Sequence, residues 1–460
     1  MKRISRSKSQ IKSRKPKVNV EMTSENITIN GGLEPVLRFM EKLDFSRILG
    51  DLLATRRGAT ARYSFEEVIE QIITANMAGA RSINDISVIW SDTALRKFSG
   101  YENISDPTNI ARILKSLKHS DVIAMEELNH RLRGQIWRAI RNRGREFLKD
   151  RHEIWIDVDS TVSGVFGNQE GAAKGYNPFR KGEKSYHPLM AFNADTSEVL
   201  HSWFRSGDAY TGNGATPFLQ ELLSHLPKDK TVTVRADSGF FDEKTLEYLE
   251  TIGHHYLIKV KLKGLKGLLF EQEWQKIADH HGWESTVFIH KCGSWDKPRQ
   301  FVAVRKLVEE KKENFLFEGV SKVYEYFCYV TDIEGISPWE VHKTYGKRAT
   351  CETWIEECKS QIGASKIHTS DFIANSILFQ CAILAYNLLK WMAMLAGHGM
   401  EHWEVKTIRR WLILKAAKLV HSGRQLFLKI QSTFLKQKQW CIWREMIERI
   451  EFNHNRYEVT

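Results

Sequence analysis

Carboxylates placed at strand ends can hold a hard divalent cation, and this sequence offers them in three settings. In HEIWIDVDST (residues 152–161), alternation puts Ile154, Ile156 and Val158 on one face and Trp155, Asp157 and Asp159 on the other. A half-exposed edge strand accounts for the same pattern. In TVTVRADSGF (231–240), Asp237 ends a β-branched run, at the strand terminus where α/β folds build active sites. Asp-Ser-Gly also serves as a plain turn. Farther on, Tyr345, Arg348, Glu352 and Lys359 are offset by 0, 3, 7 and 14 residues. On one continuous helix, at about 100° per residue, they share a sector of about 60°. Surface pairing of Arg348 with Glu352, and of Glu356 with Lys359, explains part of that stripe and leaves Tyr345 unexplained. Glu356 is the alternative acid.

Three carboxylates from two strands and a helix suit Mg²⁺, which takes few protein oxygens and leaves the rest to water and phosphate. Two such ions about 3.5–4 Å apart stabilise both the attacking and the leaving oxygen of an in-line phosphoryl transfer. There is no Gly-x4-Gly-Lys-Ser/Thr loop, so the sequence does not support an ATPase.

These side chains need a scaffold, and the 460 residues suffice for several domains. Apolar residues are 42% and charged residues 27%, an ordinary globular balance. The net charge of +12 favours a polyanionic partner. Much of it lies in an N-terminal arm where Lys2, Arg3, Arg6, Lys8, Lys12, Arg14, Lys15 and Lys17 stand without an acid. That start has no apolar run behind it and does not read as a signal peptide. Cys292, Cys328, Cys351, Cys358, Cys381 and Cys441 form no Cys-x-x-Cys pair and fit a reducing cytoplasm. Phe372–Ala396 is apolar enough to suggest a membrane span. Asn375, Gln380, Asn387 and Lys390 interrupt it, so a buried core helix is expected, and no membrane partner.

From residue 30 to 150 the pattern is helical. Ser64-Phe-Glu-Glu67 is a capping box, Asp106-Pro107 opens a second helix, and LNHRLRGQIWRAIRNRGREFLK is a third, dense in Arg. Strands follow from 152: HEIWIDVDST, SYHPLMAFNA, EVLHSWFRS, TVTVRADSGF and HHYLIKVK, with a helix over 242–252. Residues 262–340 read as a separate strand-rich insertion. From Tyr345 the chain is helical again, ending in a basic helical tail, TIRRWLILKAAKLVHSGRQLFLKI. The expected class is α/β, a mixed-sheet core with that insertion, a helical N-terminal domain and a helical C-terminal tail.

Tyr345-x2-Arg348-x3-Glu352-x6-Lys359 resembles the Tyr-Arg-Glu-Lys signature of a branch of bacterial insertion-sequence DDE transposases. Asp159-Ser-Thr161 and Arg235-Ala-Asp237-Ser-Gly-Phe240 look like the first- and second-Asp motifs, and Ala385-Tyr-Asn-Leu388 is also family-like. The gaps are 237 − 159 = 78 and 352 − 237 = 115 residues, the longer one holding the insertion. The resemblance spans roughly residues 30 to 430. It implies an RNase H-like core in which Asp159, Asp237 and Glu352 bind two Mg²⁺ or Mn²⁺ ions, and in which Tyr345, Arg348 and Lys359 contact transposon-end DNA. It implies cleavage at terminal inverted repeats, attack of the freed 3′-hydroxyl on target DNA, and a homodimer on DNA in a bacterial, nucleoid-associated setting. Relatives in that branch hold a flipped base on a tryptophan of the insertion; Trp274, Trp283, Trp295 and Trp339 lie there, and none is matched to the role.

The expected divisions are a basic arm (1–29), a helical DNA-binding domain (30–150), the first part of the core (151–261), the insertion (262–340), the helical part of the core (341–400) and a basic C-terminal region (401–460). A domesticated non-catalytic DNA-binding protein is the alternative from another class, marked by loss of a carboxylate. A plain RNase H-like nuclease would not need the N-terminal helices or the basic tail.

Overall fold

The computed structural model describes residues 19–23, 26–58, 60–101, 103–143, 153–175, 180–209, 212, 214–312, 320–366 and 369–452. The basic arm up to residue 18 and the Arg-rich stretch 144–149 lie outside the described residues.

The first half is helical: α1 (Leu33–Lys42), α2 (Phe45–Leu52), α3 (Phe65–Ala78), α4 (Ile83–Trp90), α5 (Thr93–Ser99), α6 (Pro107–Leu114) and α7 (His119–Asn142). Local signals set their starts. Ser64 accepts from Glu67 N while the Glu67 carboxylate accepts from Ser64 N, closing the expected capping box on α3. Asp106 caps α6, with Pro107 in its first turn.

Central to the second half is a five-strand unit. β2 (Glu153–Ser160), β6 (Leu189–Asn193) and β7 (Val199–Trp203) are antiparallel neighbours, while β8 (Thr231–Ala236) and β9 (His255–Lys259) run parallel to β2. The order β7-β6-β2-β8-β9 is the RNase H-like arrangement. β2 is therefore central, not the edge strand its alternation alone allowed. Its Ile154, Ile156 and Val158 pack with Phe218 and Leu222 of α8 (Ala215–Ser224) and Leu246 of α9 (Glu243–Thr251). The short strands β3 (Ser163–Gly164), β4 (Ala173–Lys174) and β5 (Lys184–Tyr186) form a small sheet beside it.

The stretch expected to be a separate insertion is continuous with this sheet. After the short helix α10 (Leu265–Phe270), β10 (Gln275–Lys276), β11 (Trp283–His290), β12 (Arg299–Lys312) and β13 (Val320–Thr331) add on antiparallel, and β13 pairs with β9 through Val330↔Ile258. One sheet of nine strands results.

Two helices then precede the long apolar one: α11 (Pro338–Gly346) and α12 (Ala349–Glu356), the latter running into a π-helical turn, Glu357–Gln361. α13 (Phe372–Ala396) is buried over nearly its whole length and belongs to the same hydrophobic core as α1–α7, as a core helix and not a span. Its polar side chains are satisfied. Asn387 accepts from Val199 N (2.8 Å) and donates to Val199 O (2.8 Å) and to Asn129 Oδ1 (2.7 Å), tying the β7 edge and α7 to α13.

The tail corrects an expectation. Among its described residues the helical parts are a 3-10 turn at Met400–His402, α14 (Val405–Ile408), a π-turn over Arg409–Ile413, and α15 (Gln437–Arg449). Between them β14 (Ala417–Ser422) and β15 (Gln425–Ile430) form a hairpin turning at Gly423, whose φ of +58° suits glycine. β14 also pairs with β1 (Ile27–Thr28). Arg409 is not offered to solvent. It donates to Asn76 O, Met77 O and Gln361 O, capping the end of α3.

Candidate active site

Parallel pairing of β2 and β8 matches Asp157 with Arg235 and Val158 with Ala236. Carried one residue further, that register sets Asp159 beside Asp237 at the C-terminal ends of the two central strands. Asp159 is nearly buried, its side chain 14% exposed. Its Oδ1 accepts from Ser160 N (2.9 Å). Burial pushes its carboxyl up to about 6, partly offset by Arg348 and reinforced by the Asp237 charge. Asp237 turns its Oδ1 onto Gly239 N (2.9 Å), capping the short turn Ser238–Phe240. The Asp237 charge also reaches His187, a neighbour that sequence motifs did not mark.

Asp157 has another job. It is fully buried and held bidentately by Arg235, Nε–Oδ1 2.7 Å and Nη2–Oδ2 2.8 Å. Arg235 in turn donates to Thr344 O at the end of α11 (2.7 Å) and lies over the Trp155 ring. The pair fixes β2 to β8 and anchors α11 to the sheet. It therefore positions the site without facing it. Its signal was present in the sequence, an Arg two residues before Asp237 and an Asp two before Asp159.

The expected continuous stripe is broken. α11 ends at Gly346, Arg348 stands at the N-cap of α12, and Lys359 lies in the π turn, so one helix does not carry all four residues. Tyr345 packs on Tyr329, ring centroids 4.6 Å apart, and burial pushes its hydroxyl up to about 12. Glu352 is exposed, its side chain 72% accessible. Lys359 is partly buried, which lowers its ammonium from the usual range, and it makes no ion pair among the described residues.

Arg348 links the parts. Its Nη2 is 2.7 Å from Asp159 Oδ2 and its Nη1 3.9 Å from Glu352 Oε1, while its Nε is buried without a partner. The surface pair with Glu352 allowed by the sequence is thus the weaker of two contacts. Among the described residues, Asp159, Asp237 and Glu352 do not bring their ligand atoms within 4.8 Å of one another; Glu126 of α7, His201 of β7 and Glu221 of α8 do. Of the insertion tryptophans, Trp283 and Trp339 cluster with His342, which bonds the Tyr329 hydroxyl at 2.8 Å. Trp274 and Trp295 pack against Tyr326 and Phe241.

Topology and site together define a class, an RNase H-like protein with paired aspartates at its central strand ends. The family model described as transposase DDE domain, group 1, matches residues 10–452. The chain belongs to that family and is a DNA transposase of the DDE type. No curated protein matches it. Among solved structures it is similar to the piggyBac transposase in a cryo-EM synaptic complex with hairpin DNA. That likeness has 12% identity and a TM-score of 0.45 over 82% of this chain and 79% of that one.

Proposed function

We propose that Asp159, Asp237 and Glu352 are the catalytic carboxylates, holding Mg²⁺ or Mn²⁺, two ions in the working complex. What carries the proposal is the placement of Asp159 beside Asp237, with Arg348 reaching from Asp159 to Glu352. The donors are all carboxylate oxygens, a hard set suited to Mg²⁺. The bound cations supply charge neutralisation at the attacking and leaving oxygens. The chain's own residues do the rest. Arg348 leaves Asp159 to grip an end phosphate bidentately, which frees Asp159 Oδ2 for ligation. Glu352, exposed on α12 and near Arg348, would complete the ligand set. Tyr345 and Lys359 flank the DNA end.

On this proposal the enzyme recognises the terminal inverted repeats of an insertion sequence, cleaves there, and joins the freed 3′-hydroxyl to target DNA as a homodimer in the bacterial cytoplasm. The basic arm and the helices of residues 30–150 supply contacts to DNA. All three carboxylates are present, which favours an active enzyme over a non-catalytic derivative. The test is cleavage and binding of end DNA by Asp159→Asn, Asp237→Asn and Glu352→Gln. Each should lose cleavage and retain end binding. Cleavage at the parent rate by any one removes that residue from the site.

A further inference from the structure

A second group of donors lies at the β7 edge, two strands away from Asp159, where α7 and α8 meet the sheet. Glu126 of α7, His201 of β7 and Glu221 of α8 each place a ligand-type atom within 4.8 Å of the other two. His201 is 2% exposed. Its Nε2 is 3.2 Å from Glu221 Oε2, the edge expected for two ligands of one tetrahedral ion with bonds of about 2.0 Å. Its Nδ1 is buried and has no hydrogen-bond partner among the described residues, an uncommon state for a buried polar atom.

The surroundings are those of a held ligand set. Gln380 Nε2 donates to Glu126 Oε1 (3.2 Å) and Trp203 Nε1 donates to Glu221 Oε2 (2.9 Å), the oxygen that faces His201, so each carboxylate is oriented by a neighbour. The His201 ring is packed against Phe218 and stacked on His130. His130 is not a fourth donor, because its Nδ1 accepts from Arg133 Nη2 (2.9 Å) and its other nitrogen then carries the proton. Glu221 is half exposed, which opens the remaining position to water. Burial, aided by the Glu221 charge, pushes the Glu126 carboxyl up to about 8, a cost that a cation between the two would relieve.

We propose that Glu126, His201 and Glu221 form a divalent transition-metal site of the zinc class, structural in role, that fastens α7 and α8 to the β7 edge. One imidazole nitrogen with two carboxylates is a mixed set that favours zinc over magnesium. Binding shifts the His201 proton from Nε2 to Nδ1, so that the neutral ring ligates through Nε2, and releases the proton on Glu126 to solvent.

The test uses the full chain carrying Asp159→Asn and Asp237→Asn, so that the strand-end carboxylates contribute no uptake, and ZnCl₂ as the probe. Calorimetric titration should show one equivalent bound, and the melting temperature should rise with zinc and fall back on chelation. Adding Glu221→Gln, an exposed position, should weaken binding about tenfold or more and remove the thermal response. Glu126→Gln serves as the second variant and should do the same. Absence of saturable uptake, or equal affinity in the parent and both variants, overturns the proposal. Neither result bears on the transposition site.

Discussion

The buried helix α13 and the open ends of β2 and β8 both place polar groups in apolar surroundings, and they treat them oppositely. On α13 each is matched. Asn375 bonds Tyr186 and Thr369, Gln380 bonds Ser202 and Glu126, Asn387 closes on Val199 and Asn129, and Lys390 donates to Trp403 O. The strand ends are left incomplete. Asp159 is charged at a cost, Arg348 keeps a buried Nε without a partner, and Glu352 stands in solvent. Satisfied polar groups specify one packing, whereas unsatisfied ones await something from outside.

The contrast can be broken at Asp157, which belongs to the closed kind although it sits two residues from Asp159. Asp157→Ala strands Arg235 in the core and should cost about 3–5 kcal/mol in denaturant unfolding. An unfolding curve matching the parent's would show that the Asp157–Arg235 pair does not hold the two strands together.

Asn387→Ala should come next, at about 1–3 kcal/mol, since it leaves the backbone of Val199 and the amide of Asn129 unmet. Thermal melts read it directly. A neutral result would mean that water replaces the amide and the β7 edge needs no tie.

Arg348→Ala sharpens the comparison from the other side. As an exposed pair with Glu352 it would shift stability by under about 1 kcal/mol. Being buried against Asp159, it should cost about 1–2 kcal/mol while abolishing strand transfer. Lys359→Ala should leave the melt nearly unchanged and weaken end binding. Normal strand transfer in both variants would exclude a DNA role for these two side chains.

The smallest effect concerns the basic arm. Deleting residues 1–17 should make the log-affinity against log-salt line shallower, by about 0.9 for each phosphate that the arm neutralises. An identical slope would mean the arm does not touch DNA.

Much of the fold was legible because its signals are local. The caps at Ser64 and Asp106, the β2 alternation, and the polar interruptions of α13 each act within a few residues. The positions of Asp159 and Asp237 near the C-terminal ends of β2 and β8 were legible for the same reason. Nonlocal pairing was not. Nothing in β13 announces that it will join β9 and make the insertion part of one sheet. Arg348 was visible as a neighbour of Glu352 in sequence, but its closer partner, Asp159, is 189 residues away. The hairpin at 417–430 carried a Ser-Gly turn and the Ala417, Leu419 alternation, both masked by a spacing of basic residues that also suits a helix. At Gly346 the helix ends without a proline to mark it.

The pairing of Ile27 with Lys418 joins positions 391 residues apart. Loop closure on that scale comes late in folding. A nascent chain therefore holds α1 and β1 without their final partners until β14 and α15 have left the ribosome. We expect chains truncated before residue 417 to expose that apolar seam and aggregate, so that premature stops yield insoluble protein instead of a shortened DNA-binding fragment.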